Sequence, residues 1–381
     1  MLINLAIQTL CFCFAPITGP AALFYGVSDL RIGFLAMSFM IVYIPLSIPV
    51  SWMVDTMGYR KSVSIGAAIM AVSALLRGIF ATNYTWVIVT TLGLAVAQPF
   101  MMNSISTVAA KWFPIKERAT ASGLVIVASF IGIAIAQVLT PPVFIKYGIA
   151  TMLLIYGIAA AAAAMIFVIF TREAPPTPPC PPGQETRALM LDGLKRMLKM
   201  KDIWILMALF LVGMGLINGI SIWVENIVRP RGFSPQAGNL GGVLLVGGII
   251  GAIIIPLLSD RLRKRKIFLL VGMVMGIPGL VGVIFADSYW LLMVSMFVLG
   301  FFLMSLAPVG YQYAAEITFP APEGTSNGLI NLAGQASVVF IYGMEALKSS
   351  DGSFTPSLLI MVGLMAVCVA LILWLKESAM I

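Results

Sequence analysis

No histidine occurs among the 381 residues of this chain, and only four cysteines do. The first absence removes the commonest metal ligand and the usual proton shuttle of neutral-pH chemistry. The cysteines, Cys11, Cys13, Cys180 and Cys368, form no C-x-x-C pair. Three lie in apolar stretches and one in a Pro-rich segment, so they read as free, small hydrophobes and not as disulfides or metal ligands. No metal and no cofactor is expected. With no Ser-His-Asp grouping either, the chain does not read as an enzyme. Charge is scarce as well, at 10% of residues, against about 25% in soluble domains. A chain that is 60% hydrophobic cannot hide that surface in one soluble core, so its solvent is the lipid bilayer. The net charge of +8 does not point to nucleic acid, because the basic residues fall in short runs between apolar blocks, as in the loops of membrane proteins.

What is present is a series of long apolar runs. A membrane-spanning helix needs roughly 20 apolar residues, and twelve blocks qualify: 2–24, 32–54, 62–82, 84–109, 118–141, 149–171, 202–227, 236–259, 266–286, 288–315, 324–346 and 354–375. The first has no basic n-region and no A-x-A-like cleavage site, so it reads as a helix and not a signal peptide. Of the 23 Lys and Arg residues, 17 fall in the loops on one side and six on the other. That bias places both termini in the cytoplasm of a cell (inner or plasma) membrane. Residues 172–201 stand apart, opening Arg-Glu-Ala-Pro-Pro-Thr-Pro-Pro-Cys-Pro-Pro-Gly, which suits neither helix nor strand. A basic amphipathic stretch, Leu189 to Lys201, follows and is expected on the inner membrane surface. The segment divides the chain into an N-terminal six-helix half (1–171) and a C-terminal one (202–381).

The halves repeat. After the second block the chain reads Asp55-Thr-Met-Gly58-Tyr-Arg60-Lys61, and after the eighth Asp260-Arg-Leu-Arg-Lys-Arg265-Lys266. The same acid-to-base spacing at equivalent points of a 6+6 pattern argues for two parallel structural repeats.

These loops resemble the signature between helices 2 and 3 of the major facilitator superfamily, as does Lys111-Trp112-Phe113-Pro114 through Gly123 between the fourth and fifth blocks. Further segments resemble the feline leukaemia virus subgroup C receptor family of haem and choline/ethanolamine transporters. They are Phe24-Tyr25-Gly26-Val27, the run Tyr43-x-Pro45-Leu46-x-x-Pro49-x-x-Trp52-x-x-Asp55, and the stretch from Gly300 through Pro308, Glu316 and Pro320 to Asn331 and Gln335. The resemblance implies an all-α fold of twelve transmembrane helices in two pseudo-symmetric halves, working by alternating access. In choline-transporting members a tryptophan and a tyrosine cage the quaternary ammonium through cation–π contact. Those positions fall here near Cys11 and Asn218, and a family glutamine falls near Ile131. Only the helix 11 glutamine is matched, by Gln335.

Polar side chains inside a bilayer are costly and usually face a wet cavity or the bundle interior. Three stripes stand at helical spacing: Asn327, Asn331 and Gln335; Asn218, Ser221 and Glu225; Asn4, Gln8 and Cys11. Helices 1, 7 and 11 line the central cavity in this superfamily, so Gln335, Asn331, Asn327, Asn218, Ser221, Gln8 and Cys11 are the candidate substrate-binding residues. The competing reading is that such groups only glue helices together, each bond averaging about 0.6 kcal/mol. Asp55, Gly58, Arg60, Lys61, Asp260, Arg265, Lys266 and Glu316 are the candidate gating residues, Asp55 acting against the N-terminus of the eleventh helix. Arg77, the deepest charge, is expected to snorkel outward. No carboxylate stands at mid-membrane, which favours uniport or exchange over proton symport.

The expected function is secondary transport of a small neutral or cationic organic solute by a monomer. The alternatives are export of haem or a porphyrin-like amphiphile, and proton-coupled export of drugs or metabolites.

Overall fold

The computed structural model describes residues 1–114, 118–176, 197–318 and 323–377. Nearly all of the Pro-rich segment, with Cys180 and the amphipathic stretch before Met197, lies outside the described residues. Every regular element among the described residues is helical. Among the described residues, eleven stretches are long and apolar enough to cross a membrane. The chain forms two compact units, Met1–Glu185 and Thr186–Ile381.

The first unit holds α1 (Leu2–Phe12), α2 (Thr18–Tyr25), α3 (Asp29–Met57), α4 (Tyr59–Ile79), α5 (Tyr84–Met102), α6 (Ile105–Trp112) and α7 (Arg118–Phe170). Two apolar blocks of the sequence reading run together in α7, whose one non-helical residue is Gly148, at φ 75° and ψ 174°. A glycine reaches that conformation without a Cβ clash. The second unit holds α8 (Lys201–Val228), α9 (Ala237–Leu262), α10 (Lys266–Phe285), α11 (Tyr289–Thr318), α12 (Glu323–Ala336), α13 (Val338–Ala346) and α14 (Thr355–Trp374). Here α9 and α11 pack backbone to backbone. A Cβ on Gly251 would stand 1.9 Å from the Phe301 carbonyl oxygen, and one on Gly300 1.9 Å from that of Leu244. Small residues allow such close approach where apolar burial gives no driving force. Large side chains such as Leu23, Ile145, Phe170, Trp290 and Trp374 are instead outward and exposed, the surface that acyl chains cover.

Among the described residues three apolar blocks are broken, and at two of the breaks a polar side chain bonds the chain beside it. Between α1 and α2 a 3-10 turn spans Ala15–Ile17, where Pro16 removes an N–H and interrupts the ladder. The Leu10 carbonyl beside this break accepts from Arg77 Nη1 at 3.1 Å. Arg77 therefore does not snorkel. It is 1% exposed, because the carbonyl at the break and the Phe14 ring, 5.9 Å from its guanidinium carbon, hold it inside the unit. Between α5 and α6, Asn103 donates to the Ser47 carbonyl at 2.9 Å and to Ser51 Oγ at 3.0 Å, and accepts from Tyr43 Oη at 2.6 Å. It thus ties the break to the stretch of α3 interrupted by Pro45 and Pro49. The third break, at Ser337, separates α12 from α13, and Trp223 Nε1 donates to the Ile341 carbonyl within α13 at 3.0 Å.

Candidate functional site

The turn between α3 and α4 is one residue long. Gly58, at φ 85° and ψ 155°, reverses the chain, and that region of backbone space belongs to glycine. The turn leaves the first N–H groups of α4 without helical acceptors. Glu173, just beyond α7, supplies them: it accepts from the Arg60 N–H at 2.8 Å and from the Tyr59 N–H at 3.2 Å. A carboxylate at a helix N-terminus also gains from the helix dipole. Lys111 completes the cluster, its Nζ 2.5 Å from Glu173 Oε1. Burial pushes the Glu173 carboxyl up, but Lys111 and the two backbone N–H groups outweigh it and hold it below its ordinary value of 4.5. Below the carboxylate, Trp112 Nε1 donates to Tyr59 Oη at 2.7 Å, and Tyr59 Oη donates to the Arg172 carbonyl.

The second unit repeats this device. Glu377, beyond α14, accepts from the Arg265 N–H at 2.6 Å and the Lys266 N–H at 3.1 Å, at the start of α10. Tyr313 Oη donates to the Lys376 carbonyl at 2.6 Å, matching the hydroxyl of Tyr59 on the carbonyl of Arg172. The turn itself differs. Arg263 takes the left-handed conformation, at φ 50°, where the equivalent turn of the first unit has Gly58. Arg265 carries the charge network, with Nη1 2.5 Å from Asp260 Oδ1 and Nη2 2.9 Å from Glu316 Oε1. Its Nη1 also donates to Ser259 Oγ at 3.0 Å. Arg265 and Glu316 are buried, with side chains 8% and 9% exposed, while Asp260 is 59% exposed.

Of the gating candidates from the sequence, Asp260, Arg265, Lys266 and Glu316 thus meet in one cluster. Gly58 and Arg60 meet in the other, where Arg60 takes part through its backbone. The Asp55, Arg60 and Lys61 side chains are exposed at the same end of the first unit. Sequence reasoning missed Glu173 and Glu377, and with them Lys111 and Tyr313. A signal existed: Arg172-Glu173 and Lys376-Glu377 are both a base followed by an acid, each just past an apolar block.

The substrate candidates divide by burial. On α12, Asn327, Asn331 and Gln335 are half-buried, and Ile330, Ala333 and Gly334 beside them are buried. Asn218 and Gln8 are half-buried as well, whereas Ser221 and Cys11 are buried. Cys11 Sγ lies 3.9 Å from the Ala36 carbonyl oxygen, as a weak donor. Each described Asp or Glu inside a helix stands within three residues of a helix end. Glu225, the deepest, is 2% exposed and carries Arg229 Nη2 at 2.5 Å and Ser234 Oγ at 2.8 Å. No group of three or more His, Cys, Asp or Glu side chains suited to a metal ion exists among the described residues.

Comparison with known proteins agrees with this architecture. The family described as Major Facilitator Superfamily matches residues 1–341 and 234–380. The chain is 30% identical to the choline/ethanolamine transporter FLVCR1 of Felis catus, over 94% of this chain and 67% of that protein. It is 30% identical to solute carrier family 49 member A3 of Danio rerio, over 90% of this chain and 76% of that one. With the choline/ethanolamine transporter FLVCR2 of Rattus norvegicus the identity is 28%, over 87% of this chain and 64% of the relative, so the chain spans about two thirds of the length of these proteins. Among solved structures, a bacterial homolog of the human lysosomal transporter Spinster, in an inward-facing and unoccupied conformation, superposes with a TM-score of 0.76 at 16% identity, covering 97% of this chain and 93% of that one. The nucleoside transporter NupG gives 0.73 at 13% identity, covering 98% of each chain. A multi-pass membrane protein, this chain belongs to the major facilitator superfamily, in the group of the FLVCR choline/ethanolamine transporters and solute carrier family 49 member A3.

Proposed function

We propose that the chain is an alternating-access secondary transporter of a small neutral or cationic organic solute, working by uniport or exchange. The observation that carries this reading is the duplicated latch. In each unit a carboxylate beyond the last long helix caps the helix at the repeated Asp-to-Arg spacing, and a tyrosine holds the neighbouring carbonyl. Such paired devices suit a carrier that closes one end by rocking two repeats against each other. Each latch is a set of charge-assisted contacts at a helix end, strong enough to hold a state and weak enough to release.

In this reading twelve helices span the membrane, the stretch from Ala121 to Phe170 counting as two, and both termini are cytoplasmic. The latches then belong to the inner gate, the first with Asp55, Gly58, Arg60 and Lys61 and the second with Asp260, Arg265, Lys266 and Glu316. Gln335, Asn331, Asn327, Asn218, Ser221, Gln8 and Cys11 face the solute, which a single monomer carries. Relatives named as choline/ethanolamine transporters support a small amine as cargo. The restriction of described helical carboxylates to helix ends supports transport without proton coupling, since proton-driven carriers need a titrating acid within the membrane.

The test is counterflow of radiolabelled choline and ethanolamine in proteoliposomes, with and without a protonophore. Exchange down the solute gradient should persist when the proton gradient is collapsed. Accumulation abolished by the protonophore, with exchange intact, would overturn the coupling assignment. Absence of any amine exchange in protein that binds neither compound would overturn the cargo assignment.

A further inference from the structure

The turn between α9 and α10 holds five bases and one acid between Asp260 and Lys266. Two of the bases are engaged. Arg265 is paired with Asp260 and Glu316, and Lys266 Nζ donates to the Leu373 carbonyl at 2.7 Å. The other three, Arg261, Arg263 and Lys264, are exposed and pair with no acid among the described residues. The acids nearby are occupied, Asp260 and Glu316 by Arg265, and Glu377 by the Arg265 and Lys266 N–H groups. The turn itself is held firmly. The Arg263 N–H donates to the Asp260 carbonyl at 3.3 Å and the Lys264 N–H to the Ser259 carbonyl at 3.2 Å, and Ser259 Oγ donates to the Lys264 carbonyl at 2.6 Å. Closing it puts Arg263 at φ 50°, where the first unit has a glycine. A cationic side chain kept in a costly backbone conformation, with no acid of its own unit to pair with, points to a partner outside the chain.

The surface beside the turn narrows the class. Val246, Ile250, Ile253 and Leu257 are exposed along α9, at the steps of four and three residues that keep to one helix face. Arg261 takes the next step. At 1.5 Å per residue the run from Val246 to Leu257 covers about 17 Å, close to the depth of one leaflet of a hydrocarbon core about 30 Å thick. An acidic peptide meets the charges and leaves this apolar run uncovered, whereas an anionic phospholipid meets both. We propose that the α9–α10 turn is a docking site for an anionic phospholipid, its phosphate on Arg261, Arg263 and Lys264 and an acyl chain along the exposed face of α9. The site rests on the reading in which this end of the chain faces the cytoplasm, since that leaflet carries the negative surface potential. It uses neither the residues assigned to the solute nor those assigned to the gate.

Native mass spectrometry of the full chain in detergent, titrated with dioleoyl phosphatidylglycerol or dioleoyl phosphatidylcholine, tests it. Micelles have no sides, so the result is independent of orientation and of transport, which impermeant labelling and counterflow read separately. The first phosphatidylglycerol should bind about tenfold more tightly than phosphatidylcholine, or better. Arg263→Gly relieves the turn as it removes a charge. It should melt no lower than the wild type, yet bind phosphatidylglycerol about fivefold more weakly, the share of one base at a membrane surface. Arg261→Gln, Arg263→Gly and Lys264→Gln together should abolish the preference. Arg31→Gln with Lys146→Gln, which takes exposed charge from the first unit instead, should keep it. An equal loss in that control would reflect net charge alone and overturn the site, as would an undiminished preference in the triple variant. Soluble glycerol phosphate that binds as tightly as the lipid would overturn the lipid as occupant and leave a free-phosphate site in its place.

Discussion

A Cβ built on Gly58 would stand 2.6 Å from Oε1 of Glu173, a residue 115 positions away in the chain. The glycine is thus required twice over, once for its backbone angles and once for the space the latch carboxylate fills. Gly58→Ala should lower stability by about 1–3 kcal/mol through backbone strain alone, and should also push Glu173 off the α4 N-terminus. Melting of the single variant and of Gly58→Ala combined with Glu173→Ala separates the two effects. The double variant should lose less than the sum of the singles; strict additivity would show that the two residues do not meet.

Arg263 occupies the matching turn of the second unit at φ 50°, without the freedom of a glycine. The left-handed region costs an ordinary residue roughly 1–2 kcal/mol. Arg263→Gly should therefore raise the melting temperature, by an amount corresponding to about 1 kcal/mol after the greater chain entropy of glycine is subtracted. Arg263→Val, with a β-branched side chain, should lower it. Identical melting of the two variants would refute the strained turn.

The Glu173 carboxyl, held below 4.5 by Lys111 and the α4 N–H groups against the opposing effect of burial, gives the first latch a defined pH response. A depressed folded-state value means the stabilisation is full above the unfolded value and is lost as the pH falls through the folded one. The difference in melting temperature between wild type and Glu173→Gln should be constant well above the ordinary carboxyl value of 4.5 and shrink as the pH falls below it. Its size is modest, under about 1 kcal/mol, because the pair with Lys111 is partly exposed. A difference that grows on acidification would contradict the assigned charge state.

Arg265 and Glu316 form the buried ion pair of the second latch. Removing one partner leaves the other buried, so Glu316→Ala should cost about 3 kcal/mol, the low end for such pairs because Asp260 remains. Replacing both, as Arg265→Met with Glu316→Leu, should recover most of that stability while loosening the proposed gate. Urea or thermal unfolding reads the first effect, and cysteine accessibility near Glu316 reads the second. A double variant less stable than Glu316→Ala would be incompatible with a desolvated pair.

Gln335 stands on the half-buried amide stripe of α12. If its amide bonds the solute, Gln335→Ala should reduce solute affinity by about five- to 150-fold, equivalent to about 1–3 kcal/mol, with little change in melting. A residue that only holds helices together would show the reverse. Binding and melting on the same purified variant decide between them.

The apolar blocks were readable in the sequence because a helix rises a fixed 1.5 Å per residue and a bilayer has a fixed thickness. The scarcity of charge and the lack of histidine narrowed the chemistry for an equally simple reason, since no fold supplies a side chain the chain does not contain. The Asp55 and Asp260 turns, and the resemblance of whole segments to a transporter family, were likewise visible as spacing along one strand of text. Tertiary structure alone decided the rest. Glu173 and Glu377 have backbone N–H groups as partners, more than 100 residues away. Every residue but proline carries that donor, so no residue type marks it in advance. Arg77 turned inward and not toward the interface because a helix break freed a carbonyl within its reach.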